Sequence, residues 1–303
     1  GTPVGESSMA NTGEPDTPPV VVGTDGSEHG DRAVAHAAEA AARRGAPLRI
    51  LHAIRMPMAT PGFETVEPDE DTRRAAEALV RDAGAAALRR HPDLVVQARV
   101  GYGLPGDALL AAAEGALLLV AGSRGRGGFV GLLLGSVSRF LAARTTCPLL
   151  IVRGEHGTPA LGPAGADVLL GVQGDGDDRA VRAAFEAARE RGLPVRAVHA
   201  WSWPGYAGLA GPGEADMRAV AQVHATALEG ALAPARARFP DVEVRTDSVM
   251  ADAAGALVEA SAGSALAVVG VRHRRGPLRH WVGHVATAAI EHAHCPVLVV
   301  PLD

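Results

Sequence analysis

A glycine-rich loop in the first half of the chain has residues of the types that bind phosphate. The loop spans residues 122–128 (GSRGRGG) and is followed by residues 135–138 (GSVS). Glycine lets the backbone approach a ligand closely, and Arg124 and Arg126 can add charge-assisted hydrogen bonds. Ser136 stands where a helix is expected to begin, so we predict that its hydroxyl caps that helix, whose N-terminus attracts anions. A flexible turn with solvated arginines is the alternative interpretation.

The absence of lysine limits the phosphate chemistry. All 29 Lys and Arg residues are arginine, which excludes a P-loop lysine, a kinase ATP-anchoring lysine and a Schiff-base lysine. Any phosphate has to be bound by arginine, backbone N–H groups and hydroxyls. No G-x-G-x-x-G pattern follows the first predicted strand, so the loop is not a dinucleotide fingerprint.

An internal repeat determines where this loop stands in the chain. Corresponding landmarks are separated by 148 residues, except for a histidine pair separated by 147 (199 − 52). The matching pairs are Gly23 and Gly171, His52 and His199, Pro92 and Pro240, Gly122 and Gly270, and Cys147 and Cys295. The chain therefore contains two copies of one unit.

Apolar runs and Ala-rich amphipathic segments alternate in each copy. In the first copy we predict strands at 19–23, 47–53, 94–100, 116–121 and 147–152, and helices at 30–44, 69–90, 105–114 and 136–144. In the second copy we predict strands at 167–171, 194–200, 242–249, 265–270 and 295–301, and helices at 178–191, 214–238, 252–262 and 284–293. Such alternation is typical of a parallel sheet with helices on both faces. The predicted fold class is α/β, with two tandem doubly wound, Rossmann-like domains.

Domain boundaries follow from the repeat and from composition. We predict a disordered N-terminal segment with a tag remnant at 1–17, a first domain at 18–153, a Gly- and Pro-rich linker at 154–166 and a second domain at 167–303. Ligands of doubly wound sheets bind beyond the carboxyl ends of the strands, where the strand order reverses. The positions that follow strands one, two and four are therefore the candidate site.

The loop spacing resembles that of a known family. It follows G-x2-G-x9-G-[S/T], the signature of the ATP-binding universal stress proteins. The turn at 22–27 (VGTDGS) and the closing strand at 147–152 (CPLLIV) are also similar to that family. The family's Asp at the start of the fourth strand is replaced here by Gly115-Ala116, at the end of the strand away from the ligand.

The resemblance implies a ligand and a role for each matching position. It implies ATP, with Mg²⁺ bound by the triphosphate, in an adenine-nucleotide alpha-hydrolase-like fold. Thr24 and Asp25 would lie beside the nucleotide, and Ala53 would meet the adenine. Asp25 also suits a turn that has no ligand. The positions implied around the ribose and phosphates are Gly122, Arg124, Gly125, Gly135, Ser136, Val137 and Ser138.

The second copy has lost parts of this signature. Gln173 stands in place of Asp25, His273 replaces the second glycine and His284 replaces the Ser/Thr. These changes add bulk where a ligand needs the backbone and remove the hydroxyl expected to cap the helix. We therefore predict one ATP per chain, bound in the first half, and a degenerate second half that serves structure, regulation or a different anion.

Histidine and cysteine have structural interpretations here. His280 and His284 are spaced i, i+4 and could form a ligand pair, but His292 and His294 lie beyond that turn and no carboxylate completes a set, so we predict no metal site. His52 and His199 are expected to be hydrogen-bonded structural residues. Cys147 and Cys295 each precede Pro and an apolar run, which predicts buried, reduced thiols.

Composition excludes several partners. The net charge is −5 and there is no basic block, so nucleic acid is not expected as a partner. No apolar run approaches the ~18 residues of a membrane span, and no signal peptide is visible. We therefore expect a cytoplasmic protein that does not bind membranes.

Three functions remain open. The leading hypothesis is a stress-response or signalling module in which bound ATP changes a docking surface for a protein partner that the sequence does not identify. The enzyme alternative is a slow ATPase or a self-phosphorylating protein that uses Ser136 or Ser138. The third is an assembly scaffold without nucleotide. No nucleophile, base and orienting group can be recognised from spacing, so we predict no catalytic residues.

Assembly can be predicted from two apolar edge strands. In universal stress proteins the last strand commonly pairs with its counterpart in a second subunit. Here Leu149–Val152 and Val297–Val300 are two such strands in one chain, and an unprotected apolar edge favours pairing. We predict that they pair within the chain, and a homodimer of whole chains stays an open alternative.

Overall fold

The computed structural model describes residues 17–56, 67–125, 134–153, 165–174, 176–203, 213–272 and 282–302. The first half contains β1 (Val20–Gly23), α1 (Glu28–Arg44), β2 (Leu48–Ile54), α2 (Glu70–Arg90), β3 (Val96–Tyr102), α3 (Pro105–Ala112), β4 (Leu118–Gly122), α4 (Ser136–Ala142) and β5 (Leu149–Val152). The second half contains β6 (Val168–Gly171), α5 (Asp178–Arg191), β7 (Val195–Trp201), α6 (Glu214–Arg238), β8 (Val244–Met250), α7 (Ala253–Ala260), β9 (Leu266–Val271), α8 (His284–His292) and β10 (Val297–Pro301). Every predicted strand and helix is present with bounds within two residues of these.

Local signals explain why the elements begin and end where they do. The Ser27 side chain accepts a hydrogen bond from the Gly30 N–H and caps α1, because the first N–H groups of a helix have no acceptor within the helix. The helix ends at Gly45, whose φ of 59° is the left-handed conformation that glycine adopts most readily. The valines of β1 are completely buried, as expected for a parallel strand covered on both faces.

The strands of both halves form one continuous sheet. Its order is β3-β2-β1-β4-β5-β10-β9-β6-β7-β8. Neighbouring strands are parallel within each half, and β5 and β10 are antiparallel, with Leu150 opposite Leu298. The structure thus confirms the intrachain pairing of the two apolar edge strands. The strand order reverses between β1 and β4 in the first half and between β6 and β9 in the second, which puts a crevice at the carboxyl ends of each pair.

Helices cover both faces of the sheet and enclose two apolar cores. One core lies against α1, α2, α5 and α6, and the other lies against α3, α4, α7 and α8. Successive side chains of a strand point to opposite faces of the sheet. In β1, Val20 and Val22 therefore belong to the first core and Val21 to the second. Each core contains residues of both halves, so the two halves stabilise each other by shared apolar burial.

Polar contacts also join the halves beside the β5–β10 seam. The Arg44 Nε is 3.0 Å from a carboxylate oxygen of Glu190, and an Arg139 guanidinium nitrogen is 3.2 Å from Glu291. The Arg153 guanidinium donates to the backbone carbonyls of Ile290 and Glu291. These are the last carbonyls of α8, which favour a cation.

Cys147, Cys295 and His199 have the structural roles expected of them. Cys147 and Cys295 are free and buried, and burial raises the pKa of the Cys295 thiol to about 12. His199 Nδ1 is 2.9 Å from the Val172 carbonyl oxygen. Within the described ranges, no group of three or more His, Cys, Asp or Glu side chains could hold a metal ion. His280 lies outside the described residues.

The same ranges contain no helix with the length and apolar character required to cross a bilayer.

We expect the protein to lose stability in mild acid through His36 of α1. Burial of its ring holds the pKa of His36 below the usual 6.5; nearby arginines, including Arg191 of the other half, lower it further, and Glu39 opposes them. The unfolded chain therefore binds the proton more tightly, so this contribution is complete above about pH 6.5 and is lost as the pH falls below it. Urea unfolding between about pH 8 and pH 5 should show a falling free energy of unfolding. The slope should be shallower for His36→Asn, and an unchanged slope would contradict this origin.

Candidate functional site

A cavity of about 610 Å³ opens at the carboxyl ends of β1, β2 and β4 in the first half. All ten residues predicted to bind the nucleotide line it, although they come from three separate parts of the chain. They are Thr24, Asp25, Ala53, Gly122, Arg124, Gly125, Gly135, Ser136, Val137 and Ser138. Arg126, Gly127 and Gly128 lie outside the described residues.

The turn after β1 forms one wall. The Thr24 hydroxyl accepts from the Gly26 N–H at 3.2 Å, and an Asp25 carboxylate oxygen accepts from the Ser27 N–H at 3.0 Å. These bonds give the turn a fixed shape without any ligand, as the turn-forming interpretation of Asp25 predicted. The same turn directs Asp25 into the cavity lining, so the carboxylate serves both the local structure and the site.

The end of β2 forms the next wall. His52 Nδ1 is 2.8 Å from the Thr24 carbonyl oxygen. A carbonyl only accepts, so Nδ1 carries the hydrogen and donates it. This bond ties β2 to the turn after β1, and it confirms the structural role predicted for His52. The ring also lines the cavity beside Ala53.

The loop glycines are required for two different reasons. A Cβ on Gly122 would lie 2.7 Å from the backbone oxygen of His29 in α1, so the packing of the chain itself demands glycine there. A Cβ on Gly125 would lie 2.5 Å from the Asp25 carboxylate. At Gly135 the nearest atom, the Ser123 carbonyl oxygen, would be 3.4 Å away. Gly125 is therefore the position where a side chain would most directly disturb the cavity wall.

The start of α4 differs from the prediction. Gly135, with φ −71° and ψ 155°, is the N-cap residue, and no side chain caps this helix. The prediction that the Ser136 hydroxyl caps α4 is therefore wrong. Gly135 is the last extended residue before the helix, and Ser136 is already the first helical residue. In the second half Gly283 is the N-cap of α8 and again no side chain caps the helix, so loss of a hydroxyl cap does not distinguish the halves.

Ser138 and Ser136 have different environments. The Ser138 hydroxyl donates to the Gly122 carbonyl at 2.6 Å, and Ser138 is only 3% exposed. This bond joins the start of α4 to the end of β4 and holds the two ends of the loop together. Ser136 is exposed. Ser138 is thus engaged in the structure and less accessible than Ser136 as an acceptor of a phosphoryl group.

Several lining residues were not identified from the sequence. Arg55 follows β2, where the positional rule for doubly wound sheets could have indicated it. Pro105 and Leu109 of α3 and Leu134 before α4 contribute apolar surface, and their sequence pattern is that of ordinary core residues. Gly30 of α1 also lines the cavity. No sequence signal distinguished these last four from residues that only pack.

The cavity is chemically two-sided. Leu51, Leu109 and Leu134 provide an apolar region, and Arg55 and Arg124 are exposed guanidinium groups at its rim. The first helical hydrogen bond of α4 is the one from the Arg139 N–H to Gly135, so the N–H groups before it belong to the unpaired first turn. The volume of the cavity lies within the range of small-molecule sites. The arrangement suits a ligand with a flat apolar part and an anionic part.

Comparison with known proteins identifies the family. The sequence model described as "Universal stress protein family" matches residues 17–153 and 167–301. The chain belongs to the universal stress protein family. Universal stress protein Rv2005c of Mycobacterium tuberculosis is 34% identical over 288 residues, which cover 92% of this chain and 96% of that protein. Universal stress protein Rv2623 of the same organism is 31% identical over 294 residues, which cover 92% and 95%.

Solved structures show the same fold. A crystal structure of a universal stress protein from Archaeoglobus fulgidus covers 94% of this chain and 98% of that chain, with a TM-score of 0.60 and 18% identity. At that identity the likeness shows the fold alone. It agrees with the α/β architecture predicted for this tandem universal stress protein, a mostly parallel sheet with helices on both faces.

Proposed function

We propose that this universal stress protein is an ATP-binding signalling module whose first half holds the nucleotide. The observation that carries the proposal is the convergence of all ten residues predicted from the sequence on one two-sided cavity. They include the glycines of the family's loop spacing and an exposed arginine, Arg124. A doubly wound sheet binds its ligand at this crevice.

In the proposed complex the adenine lies in the apolar region, near Ala53 and Leu109. Thr24 and Asp25 lie beside the nucleotide, and a carboxylate such as Asp25 is suited to accept hydrogen bonds from ribose hydroxyls. The phosphates lie along the loop, where Gly125 allows close backbone approach and Arg124 supplies positive charge. The N–H groups at the start of α4 add donors, although a helix of seven residues contributes only a weak dipole.

Mg²⁺ is proposed to arrive on the triphosphate. It usually keeps several waters and binds through one or two carboxylates together with substrate phosphates. Asp25 is the carboxylate among the residues that line this cavity. This environment fits a metal carried by ATP better than one held by the protein alone.

The two copies of the repeat are proposed to have different roles. Residues 18–153 carry the nucleotide, and residues 167–303 form the degenerate half. Gln173 lines a second, smaller cavity, and His284 is the first residue of α8. His273 lies outside the described residues, as does most of the proposed linker at 154–166.

The test is a direct identification and count of the ligand. Purified protein should release an adenine nucleotide on denaturation, detected by mass spectrometry, and calorimetry of the nucleotide-free protein should give one ATP per chain. Loss of the titration heat without Mg²⁺ would support binding of the metal complex. Absence of any adenine nucleotide and of any titration heat would favour the scaffold hypothesis. Steady phosphate release that a Gly135 variant abolishes would favour the enzyme alternative.

A further inference from the structure

The second half has a cavity at the same place in its fold. It is lined by counterparts of the first cavity's residues, among them Gly171 for Gly23 and Leu257 for Leu109, each 148 residues later. The second cavity measures about 180 Å³ and the first about 610 Å³. We therefore compared the side chains that line the second cavity with those that line the first.

Asp177 is the lining residue with the most polar contacts in the second cavity. One of its carboxylate oxygens accepts from the N–H of Gln173 at 2.6 Å and from the N–H of Gly174 at 3.3 Å. The other is 3.3 Å from an Arg272 guanidinium nitrogen. Asp177 is 4% exposed. A buried carboxylate thus occupies two backbone donors and one guanidinium, which are the groups that bind phosphate elsewhere.

The repeat shows what stands at these positions in the first half. Asp31-Arg32-Ala33-Val34 matches Asp178-Arg179-Ala180-Val181, so Asp177 corresponds to Gly30. Arg272 corresponds to Arg124 (272 − 124 = 148). In the first half Gly30 has no side chain, and Arg124 lines an open cavity. In the second half the corresponding arginine is paired with a carboxylate of its own chain.

Steric space supports the same correspondence. A Cβ on Gly30 would lie 2.9 Å from the Thr24 hydroxyl oxygen and 3.1 Å from an Asp25 carboxylate oxygen. A side chain at this position is therefore directed at the residues that line the cavity. In the second half Val172 and Gln173 stand in place of Thr24 and Asp25, which removes a second carboxylate from the neighbourhood of Asp177.

We propose that Asp177 is a specificity-determining internal anion: it binds Arg272, the counterpart of the arginine that is proposed to bind phosphate in the first half, and thereby excludes nucleotides from the second half. A phosphate that entered would have to displace a carboxylate already bound to Arg272, and it would be repelled by that carboxylate. Gly30 is the counterpart of Asp177 in the first half, and because it has no side chain it leaves the first cavity accessible to a nucleotide. The choice of ATP as ligand rests on the proposed function; the exclusion of anions does not.

The test exchanges the two residues in the full-length protein. Asp177→Gly should create a second site, and Asp177→Asn, which removes the charge but keeps the volume, should create a weaker one. His284→Ser, with Asp177 kept, should create none. The three tryptophans, at positions 201, 203 and 281, all lie in the second half. Trp201 ends β7 directly after Ala200, which lines the second cavity. Tryptophan fluorescence therefore reports on the second half, with ATP and inorganic pyrophosphate as probes.

The reciprocal exchange tests the first half. Gly30→Asp should weaken ATP binding at least about tenfold more than Gly30→Asn, because the two side chains have the same shape and differ in charge. This comparison stands even if the Asp177 variants fail to fold, which thermal unfolding would reveal.

Several outcomes would overturn the proposal. The first is a folded Asp177→Gly variant whose fluorescence does not respond to ATP or to pyrophosphate. The second is a wild type whose fluorescence already responds to either probe. The third is equal ATP affinity of Gly30→Asp and Gly30→Asn. A wild type without any ATP binding would instead count against the proposed function. In that case a pyrophosphate response gained in Asp177→Gly would still support the internal anion.

Discussion

Replacing Gly125 by valine should reduce ATP affinity roughly 150-fold, which corresponds to about 3 kcal/mol. The expectation follows from the position of the new side chain. Its Cβ would lie 2.5 Å from Oδ2 of Asp25, so that carboxylate oxygen, which belongs to the cavity wall, would have to move. The two methyl groups of valine would then occupy the space where the ligand approaches the backbone. Loss of one or two charge-assisted contacts at about 1.5–3 kcal/mol each accounts for the size of the effect.

Calorimetry with ATP measures this loss, and a matched exchange controls for the fold. Gly230 lies on the exposed side of α6, and a Cβ there would meet nothing within 4 Å. Gly230→Val should therefore leave both ATP binding and thermal stability almost unchanged, since valine has a slightly better helix propensity than glycine. Tight ATP binding that survives Gly125→Val would show that the loop does not contact the nucleotide as proposed.

Separation of the two halves should produce fragments that self-associate. In the whole chain β5 and β10 pair at the centre of the sheet, and Leu149, Leu150 and Ile151 are at most 4% exposed. A fragment of residues 18–153 would expose β5 as an unpaired apolar edge, and one of residues 167–303 would expose β10 in the same way. Such edges pair with other chains. The apolar cores shared between the halves would be opened as well.

Sedimentation or light scattering of each fragment measures the result. We expect dimers that replace the internal pair by two copies of the same strand, or aggregates, whereas mixing the two fragments should restore some of the original pairing. The full-length chain is the control for concentration and buffer. Two fragments that remain folded monomers at micromolar concentration would contradict the stabilising role assigned to the β5–β10 seam.

Much of this fold follows from patterns that act over short distances along the chain. Buried strands such as Val20–Gly23 are continuous apolar runs, and helices such as α5, predicted at residues 178–191 and observed there, have an amphipathic period and a glycine at their end. The repeat offset and the loop spacing are also properties of the linear sequence. They were sufficient to predict the α/β class and the crevice, and the resemblance to universal stress proteins implied the ten residues that line it.

The tertiary structure decided what depends on residues far apart in the chain. Gly122 is needed because the backbone of α1 packs against it. The α4 cap lies at Gly135, whose N–H donates to the Ser123 carbonyl, 12 residues earlier in the chain. The side chains of Asp177 and Arg272 meet although 95 residues separate them. Periodicity shows which face of an element is buried, because burial repeats along that element. It does not show which atoms meet across the crevice, because that depends on how the elements pack in three dimensions.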